Sequence, residues 1–277
     1  MKIIVESGAT KTAWRAISVE GNMTEVLTPG LSPTCLDAEY ISDIVRKAVP
    51  ALNPDGKRVE QIVFYGAGLV SEESAASLRS CLEMWCPFAS VEFHSDILAA
   101  ARALFGDGSG VAVILGTGSN SCLWENGKAV STIRTGGFIL GDEGSGAVLG
   151  KMFLSDYIKG LVPEPLKNMF DKEYGLDYAS IVTRVYRQEA PSRFLASFAR
   201  FIMDNKENEY AAGLVRRNIR DFMERVLVRY GESRIGVVGA FGVACMEELI
   251  EIGQEYGLEF VRFVQSPADE LVKYHGI

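Results

Sequence analysis

Short apolar runs recur along this chain, each closing on a glycine or polar turn. They fall at residues 2–5, 61–65, 111–115 and 234–239, and the mixed stretches 91–94 and 260–264 also read as strands. The continuous apolar run Val111 to Leu115, bounded by turn residues, predicts a strand buried on both faces, and the others read as strands. Between them the period changes. In residues 37–49, Ile41, Ile44, Val45 and Ala48 share one helical face, and residues 50–56 break the pattern. Ser71 is the expected N-cap of a helix reaching about Trp85, and an Ala-rich helix is predicted over 97–104. A glycine-rich loop over 135–146 feeds a helix to about Lys159. Residues 177–230 read as helical with breaks at Pro191 and near Asn205, and another helix runs to about Tyr256. The tail, 266–274, predicts a short helix with Pro267 at its first position. Strands alternating with helices predict an α/β fold with mixed sheets.

Five polar turns follow strands directly, after Val5, Tyr65, His94, Leu115 and Val238, where open α/β sheets bind ligands. Two of these turns resemble each other. Gly116-Thr117-Gly118-Ser119-Asn120 lies between apolar runs, and so does Glu6-Ser7-Gly8-Ala9-Thr10-Lys11-Thr12. A gap-free overlay puts Gly8 on Gly118 and Trp14 on Trp124. Each copy then turns back, at Glu20-Gly21-Asn22 and at Glu125-Asn126-Gly127, and Asn-Gly is a strong hairpin signal. One such turn is read equally well as a phosphate cradle or as an ordinary glycine-rich hairpin. Two of them, each heading half the chain, suggest an internal duplication with two facing lobes and a nucleotide clamp. The expected boundary is 106–110, giving lobes 1–107 and 108–265, with 266–277 packing back on the first.

Composition narrows the function. The 277 residues carry a net charge of −8, which offers no basic stripe for nucleic acid. Five cysteines, at 35, 81, 86, 122 and 245, form no CxxC pair, and two histidines, His94 and His275, make a zinc site improbable on residue types alone. Free thiols, no signal-peptide pattern and no long apolar run predict a cytoplasmic protein without a membrane partner.

The motifs ESGATKT, HSDILAA, LGTGSN, GGFILGDEGSG and VVGAFG, in this order and spacing, resemble the N-acetylglucosamine kinase and BadF/BadG/BcrA/BcrD-type ATPase family, within the sugar kinase/Hsp70/actin superfamily. The resemblance spans essentially the whole chain. It implies a duplicated two-lobe, actin-like ATPase (ribonuclease H-like) fold with an interlobe cleft, clamping ATP and Mg²⁺ between two turns. Residue by residue, Gly8, Thr10 and Lys11 match the first phosphate turn, and Gly116, Thr117, Gly118 and Ser119 the second. Gly239 and Phe241 match the turn beside the adenosine, and Asp96 matches the catalytic aspartate. Thr34, Asn120, Gly137 and Asp142 match positions near the sugar, and Glu6 matches a carboxylate that reaches Mg²⁺ through water. The implied activity is an ATP-dependent kinase of an amino sugar, most simply N-acetylglucosamine at its 6-hydroxyl. A homodimer is left open.

The chain also departs from the pattern. Ser7 and Ala9 stand where the family usually has glycine, each adding a Cβ to the turn, and Thr34 stands for Asn. Asp96 has a second reading as a helix N-cap, and Asp142 with Glu143 as a complement to a helix dipole. His94 and His275 read as structural or exposed, Trp14 and Trp124 as core. The alternatives carried forward are a BadF/BadG-type ATPase, whose relatives need interface cysteines for an iron–sulfur cluster, and a sugar- or nucleotide-binding sensor without turnover.

Overall fold

The computed structural model describes residues 1–8, 11–31, 37–69 and 72–276, apart from the side chains of Glu72 and Ser74. Ala9, Thr10, Ser32, Pro33, Thr34 and the expected cap Ser71 lie outside the described residues. The chain forms two compact units, Met1–Gly106 with Pro267–Ile277, and Asp107–Ser266.

The first unit contains β1 (Lys2–Ser7), β2 (Lys11–Ile17), β3 (Met23–Pro29), α1 (Ala38–Leu52), β4 (Gln61–Gly66), α2 (Glu72–Trp85), β5 (Ser90–Ser95) and α3 (Asp96–Phe105). Its sheet runs β3-β2-β1-β4-β5, with β2 antiparallel to β1 and β3, and β4 parallel to β1 and β5. Both faces of the central strands are covered, as their unbroken apolar runs predict. Ile3, Val5, Trp14, Ile62 and Phe64 pack toward the apolar faces of α1 and α2. Ile4, Ile17, Val63 and Tyr65 pack with Ala99 of α3 and Leu271 of the chain's last helix.

The second unit contains β6 (Gly110–Leu115), β7 (Ser119–Glu125), β8 (Lys128–Thr132), α4 (Gly137–Leu140), α5 (Gly146–Ile158), α6 (Glu164–Tyr174), α7 (Tyr178–Tyr186), α8 (Pro191–Ala196), α9 (Ala199–Asp204), α10 (Glu209–Arg225), β9 (Arg234–Val238), α11 (Ala240–Ala244), α12 (Met246–Glu255) and β10 (Glu259–Val264); α13 (Ala268–Tyr274) returns to the first unit. Its sheet runs β10-β9-β6-β7-β8, with β6 antiparallel to β7 and parallel to β9. This is the topology of the first sheet: three antiparallel strands in sequence, then parallel strands on the other side of the first. The β7–β8 turn places Asn126 at φ 48° and Gly127 at φ 78°, the pair of left-handed residues a tight hairpin needs.

The gap-free overlay of the two halves does not survive the register. Trp14 pairs with Val5, two residues before the end of β1, whereas Trp124 pairs with Gly110 at the start of β6. The first hairpin closes on Ser7↔Thr12 and the second on Leu115↔Ser119, so the first turn is one residue longer. Both tryptophans are core residues, 0% and 1% exposed.

Other differences are local. Pro50 does not end α1, which runs to Leu52 and stops where the Asn53 amide bonds the Lys57 backbone. Proline removes one backbone donor, and within the last turn the loss is small enough for Val49 and Leu52 to stay in the core. Residues 137–140 form a helical turn, not open loop, and α6 adds a helix that the sequence pattern does not predict. The helix to Tyr256 is broken at Cys245. Pro267 stands at the N-cap of α13, one residue ahead of the expected position.

Candidate active site

The turn joining β6 to β7 is built so that its acceptors face inward. The Gly146 N–H of α5 donates to Gly116 O at 2.9 Å, and the Ala147 N–H donates to Thr117 O at 3.0 Å. Gly118 O is taken by the Gly116 N–H at 2.9 Å. Three successive carbonyls are thereby held away from any ligand, which suits an anion that acceptor oxygens would repel. The first turn of α5 is thus committed to the loop, and its next amide, Val148 N–H, is capped by Ser145 Oγ at 3.2 Å.

Asp142 sits under this turn. It is 8% exposed and occupies φ 57°, a conformation tolerated by Asp but uncommon for residues with a Cβ. Burial raises its pKa above the ordinary aspartate value, with the nearby Ser119 backbone N–H and Thr135 hydroxyl pulling the other way. A Cβ at Gly118 would lie 2.9 Å from Asp142 Oδ2, so the turn and the carboxylate are in close contact. Behind them stands Asn218 of α10, fully buried. Its Oδ1 accepts from Gly144 N–H at 3.0 Å, and its Nδ2 donates to Ser145 O at 3.0 Å. Gly144, at φ 77°, lies against Phe222, where a Cβ would come within 2.8 Å of the ring. Asn218 escaped the sequence reading although it interrupts the apolar stripe Leu214, Val215, Ile219, Phe222, Met223. A polar residue inside such a stripe signals a buried partner.

The other expected residues of this unit lie nearby in sequence with different surroundings. Asn120 is half-buried on β7, and its Oδ1 accepts from the Ser121 N–H at 2.9 Å. Gly137 is exposed at φ 70° and opens α4, whose Ile139 and Leu140 are 72% and 84% exposed. Lys151 of α5 holds that turn by donating to Phe138 O at 2.6 Å. Gly239 ends β9 beside Leu115, and Phe241 packs on the core of the second unit.

In the first unit, the Gly8 N–H donates to Lys11 O at 3.0 Å, closing the β1–β2 turn, and Lys11 is exposed. Glu6 Oε1 approaches to 4.0 Å of a Cβ position at Gly8, so this carboxylate borders the turn. Ser7 does not crowd the turn as expected. It is 1% exposed, and its Oγ lies 2.7 Å from Thr12 Oγ1 and 2.9 Å from Leu31 O while accepting from Leu31 N–H at 2.8 Å. The hydroxyl fixes the Leu31 backbone. Asp96 is half-buried where β5 passes into α3, and its Oδ1 accepts from its neighbour Ile97 N–H at 2.8 Å. The N-cap position belongs to Ser95, which makes no side-chain cap.

The two histidines meet in this unit. Arg102 donates to Tyr65 Oη at 2.6 Å, and Tyr65 Oη lies 2.8 Å from His275 Nε2, with the His94 ring 5.2 Å from that of Tyr65. Burial and the neighbouring guanidinium lower both imidazole pKa values. The cysteines among the described residues are buried, and burial pushes the Cys122 and Cys245 thiols up to about 12, which makes them core residues.

No family model matches the chain, and no curated protein matches it. Among solved structures, a candidate N-acetylglucosamine kinase from Porphyromonas gingivalis is 36% identical, over 99% of this chain and 98% of that one, with a TM-score of 0.93. The chain belongs to the N-acetylglucosamine kinase-like family of the actin-like sugar-kinase fold. A second candidate N-acetylglucosamine kinase, from Chromobacterium violaceum, shares the fold at 19% identity, with 99% and 98% coverage and a TM-score of 0.76. So does a glucokinase from Balamuthia mandrillaris solved with glucose, at 14% identity, 92% and 83% coverage and a TM-score of 0.54. For this kinase-like chain, the fold match extends over both units. Among its described residues no helix is long and apolar enough to cross a membrane.

Proposed function

We propose that this chain is an ATP-dependent sugar kinase that phosphorylates an amino sugar, most simply N-acetylglucosamine on its 6-hydroxyl. The observation that carries the reading is the inward commitment of the Gly116, Thr117 and Gly118 carbonyls, in a chain 36% identical to a candidate N-acetylglucosamine kinase. Phosphoryl transfer asks a protein mainly for positioning and charge neutralisation.

The roles are those that the family resemblance implies, and the chemistry of each residue suits them. Gly116 to Ser119, with Gly8, Thr10 and Lys11, receive the phosphates, and Gly239 and Phe241 border the adenosine. Asp96 accepts the proton of the sugar hydroxyl as its oxygen bonds the γ-phosphorus and the bond to ADP breaks. Thr34, Asn120, Gly137 and Asp142 orient the sugar. Glu6 fits Mg²⁺, since a hard cation carried by phosphates needs only a nearby carboxylate reached through water. The ion when bound neutralises phosphate charge. Cytoplasmic location and action without nucleic acid or membrane complete the proposal.

The test is ADP release by purified protein with Mg-ATP, with and without N-acetylglucosamine, N-acetylmannosamine, glucosamine and glucose. Sugar-dependent release that falls about 10²- to 10⁴-fold in Asp96→Asn supports the reading. Nucleotide binding without release on any sugar refutes it.

A further inference from the structure

Leu31 is buried and lies two residues beyond β3, where the ladder with β2 has ended at Lys11↔Pro29. A buried backbone N–H and C=O must then find partners elsewhere. Both find them on the hairpin that carries the β1–β2 turn. The Leu31 N–H donates to Ser7 Oγ at 2.8 Å and to Thr12 Oγ1 at 3.1 Å, and Leu31 O accepts from the Ser7 hydroxyl at 2.9 Å. Ser7 and Thr12 are themselves the pair that closes the turn, both buried, with their hydroxyl oxygens 2.7 Å apart. One pair of hydroxyls therefore closes the turn read above as a phosphate cradle and also holds Leu31, three residues before Thr34 in sequence. A glycine at position 7 has no hydroxyl, so this link needs the serine.

The protons give the link two settings. The Thr12 hydroxyl also reaches Pro29 O at 3.0 Å. Two hydroxyl protons thus face three places: Leu31 O, Pro29 O and the 2.7 Å gap between the two oxygens. When Thr12 donates across the gap, Ser7 donates to Leu31 O. When Ser7 donates across it, Thr12 donates to Pro29 O and Leu31 O loses its hydroxyl donor. The two arrangements contain the same number of hydroxyl bonds, and only the first holds Leu31 by both of its backbone groups.

We propose that Ser7 is a positioning residue that links nucleotide binding at the β1–β2 turn to sugar binding, through its two hydrogen bonds to the Leu31 backbone. The inference rests on the sugar-kinase reading above and deepens it, since it adds a residue to which that reading gives no role. A nucleotide that orders the turn orders Ser7 and Thr12 with it, so less remains to be ordered around Leu31 when the sugar arrives. By linkage the sugar does the same for the nucleotide. A network with two arrangements is an element that either ligand can bias.

The experiment measures binding of N-acetylglucosamine to the full chain by calorimetry, with and without the β,γ-imido analogue of ATP and Mg²⁺. The ratio of the two affinities is the coupling. In wild type the analogue should tighten sugar binding roughly fivefold or more. In Ser7→Ala, which loses both bonds to Leu31, the coupling should fall to about one, with each ligand's affinity alone within roughly threefold of wild type. In kinetics, KM for the sugar should then stop depending on the ATP concentration. Thr12→Val keeps the shape and removes the second hydroxyl, and should lower the coupling about threefold. Thr12→Ser keeps that hydroxyl and should keep the coupling. The Thr12 pair decides where Ser7→Ala fails to fold. Coupling that survives in folded Ser7→Ala overturns the proposal. So does a loss as large in Thr12→Ser as in Thr12→Val, which would make the effect one of packing. Wild type that phosphorylates the sugar while binding the two ligands independently overturns this inference and leaves the kinase reading standing. Wild type that binds the analogue and neither binds nor phosphorylates the sugar refutes that reading, and this inference with it.

Discussion

Gly239→Ala is the sharpest test of how the second sheet is tied together. Gly239 ends β9 at φ 121° and ψ 147°, a region essentially closed to residues with a Cβ. Holding alanine there costs of order 1–3 kcal/mol. The added Cβ would also lie 2.2 Å from Leu115 O and 2.9 Å from Leu115 C, both backbone atoms of the strand that leads into Gly116. Neither atom can rotate away, so relief requires β6 and β9 to part, at a further cost of about 1–3 kcal/mol typical of overpacking. The Gly239 N–H to Val264 O bond, 2.9 Å, resists the same movement from β10. The total of about 2–6 kcal/mol is a large share of a domain's usual 5–15 kcal/mol. The assay is native-state hydrogen exchange of β6 amides, which reads opening of this unit alone. At about 4 kcal/mol, exchange should quicken roughly 10³-fold. Gly213→Ala is the matched control. It lies inside α10 with nothing within 4 Å of its Cβ position, and should stabilise by up to about 1 kcal/mol. If Gly239→Ala slows or leaves β6 exchange unchanged, the steric argument fails.

Asn218→Ala should leave the Gly144 N–H and Ser145 C=O buried without their partner and lower stability by about 2–4 kcal/mol, seen as a fall in Tm of roughly 5–15 °C. Acidification should weaken the first unit through its histidines. His94 and His275 have lowered pKa values, so the stability their neutral forms provide is fully present above the ordinary 6.5 and is lost as pH falls through the folded values. The groups facing them are Arg102, Lys2, Glu92, Tyr65 and Tyr274. Melting between pH 7.5 and 5 should therefore slope less steeply in His275→Gln, which keeps an acceptor for the Tyr65 hydroxyl.

Much of the scaffold is legible in residue order because its central strands are buried on both faces. Residues 3–5, 62–65, 111–115 and 235–238 are apolar without alternation, and that pattern leaves little else for them to be. Asn126-Gly127 is legible because only left-handed residues close that hairpin. What stays hidden is tertiary. The α6 helix is announced by Pro165 in its first turn and by Gly175, left-handed at its C-cap, but its mixed polar surface carries no long apolar stripe. Among many basic residues, Asn218 reads as one more solvated position until Gly144 and Ser145 are found against it. The one-residue difference between the turns is likewise invisible to an overlay that allows no gap.

That difference bears on how the two halves have diverged. The hairpins share topology, but each is braced by different chemistry. The first turn has four residues between its closing pair, and Ser7 and Thr12 brace it through hydroxyls aimed at Pro29 O and Leu31. The second has three, lies against the Asp142 carboxylate and is braced by a helix terminus. A hydroxyl network can exchange donors and acceptors at little cost, because either oxygen can donate. Amides of α5 bonded to Gly116 O and Thr117 O have no such freedom, since a backbone N–H only donates. Duplicated turns of similar sequence therefore need not be equally rigid. The glycines permit the bend in both, and the neighbours each bend has recruited decide how firmly it is held.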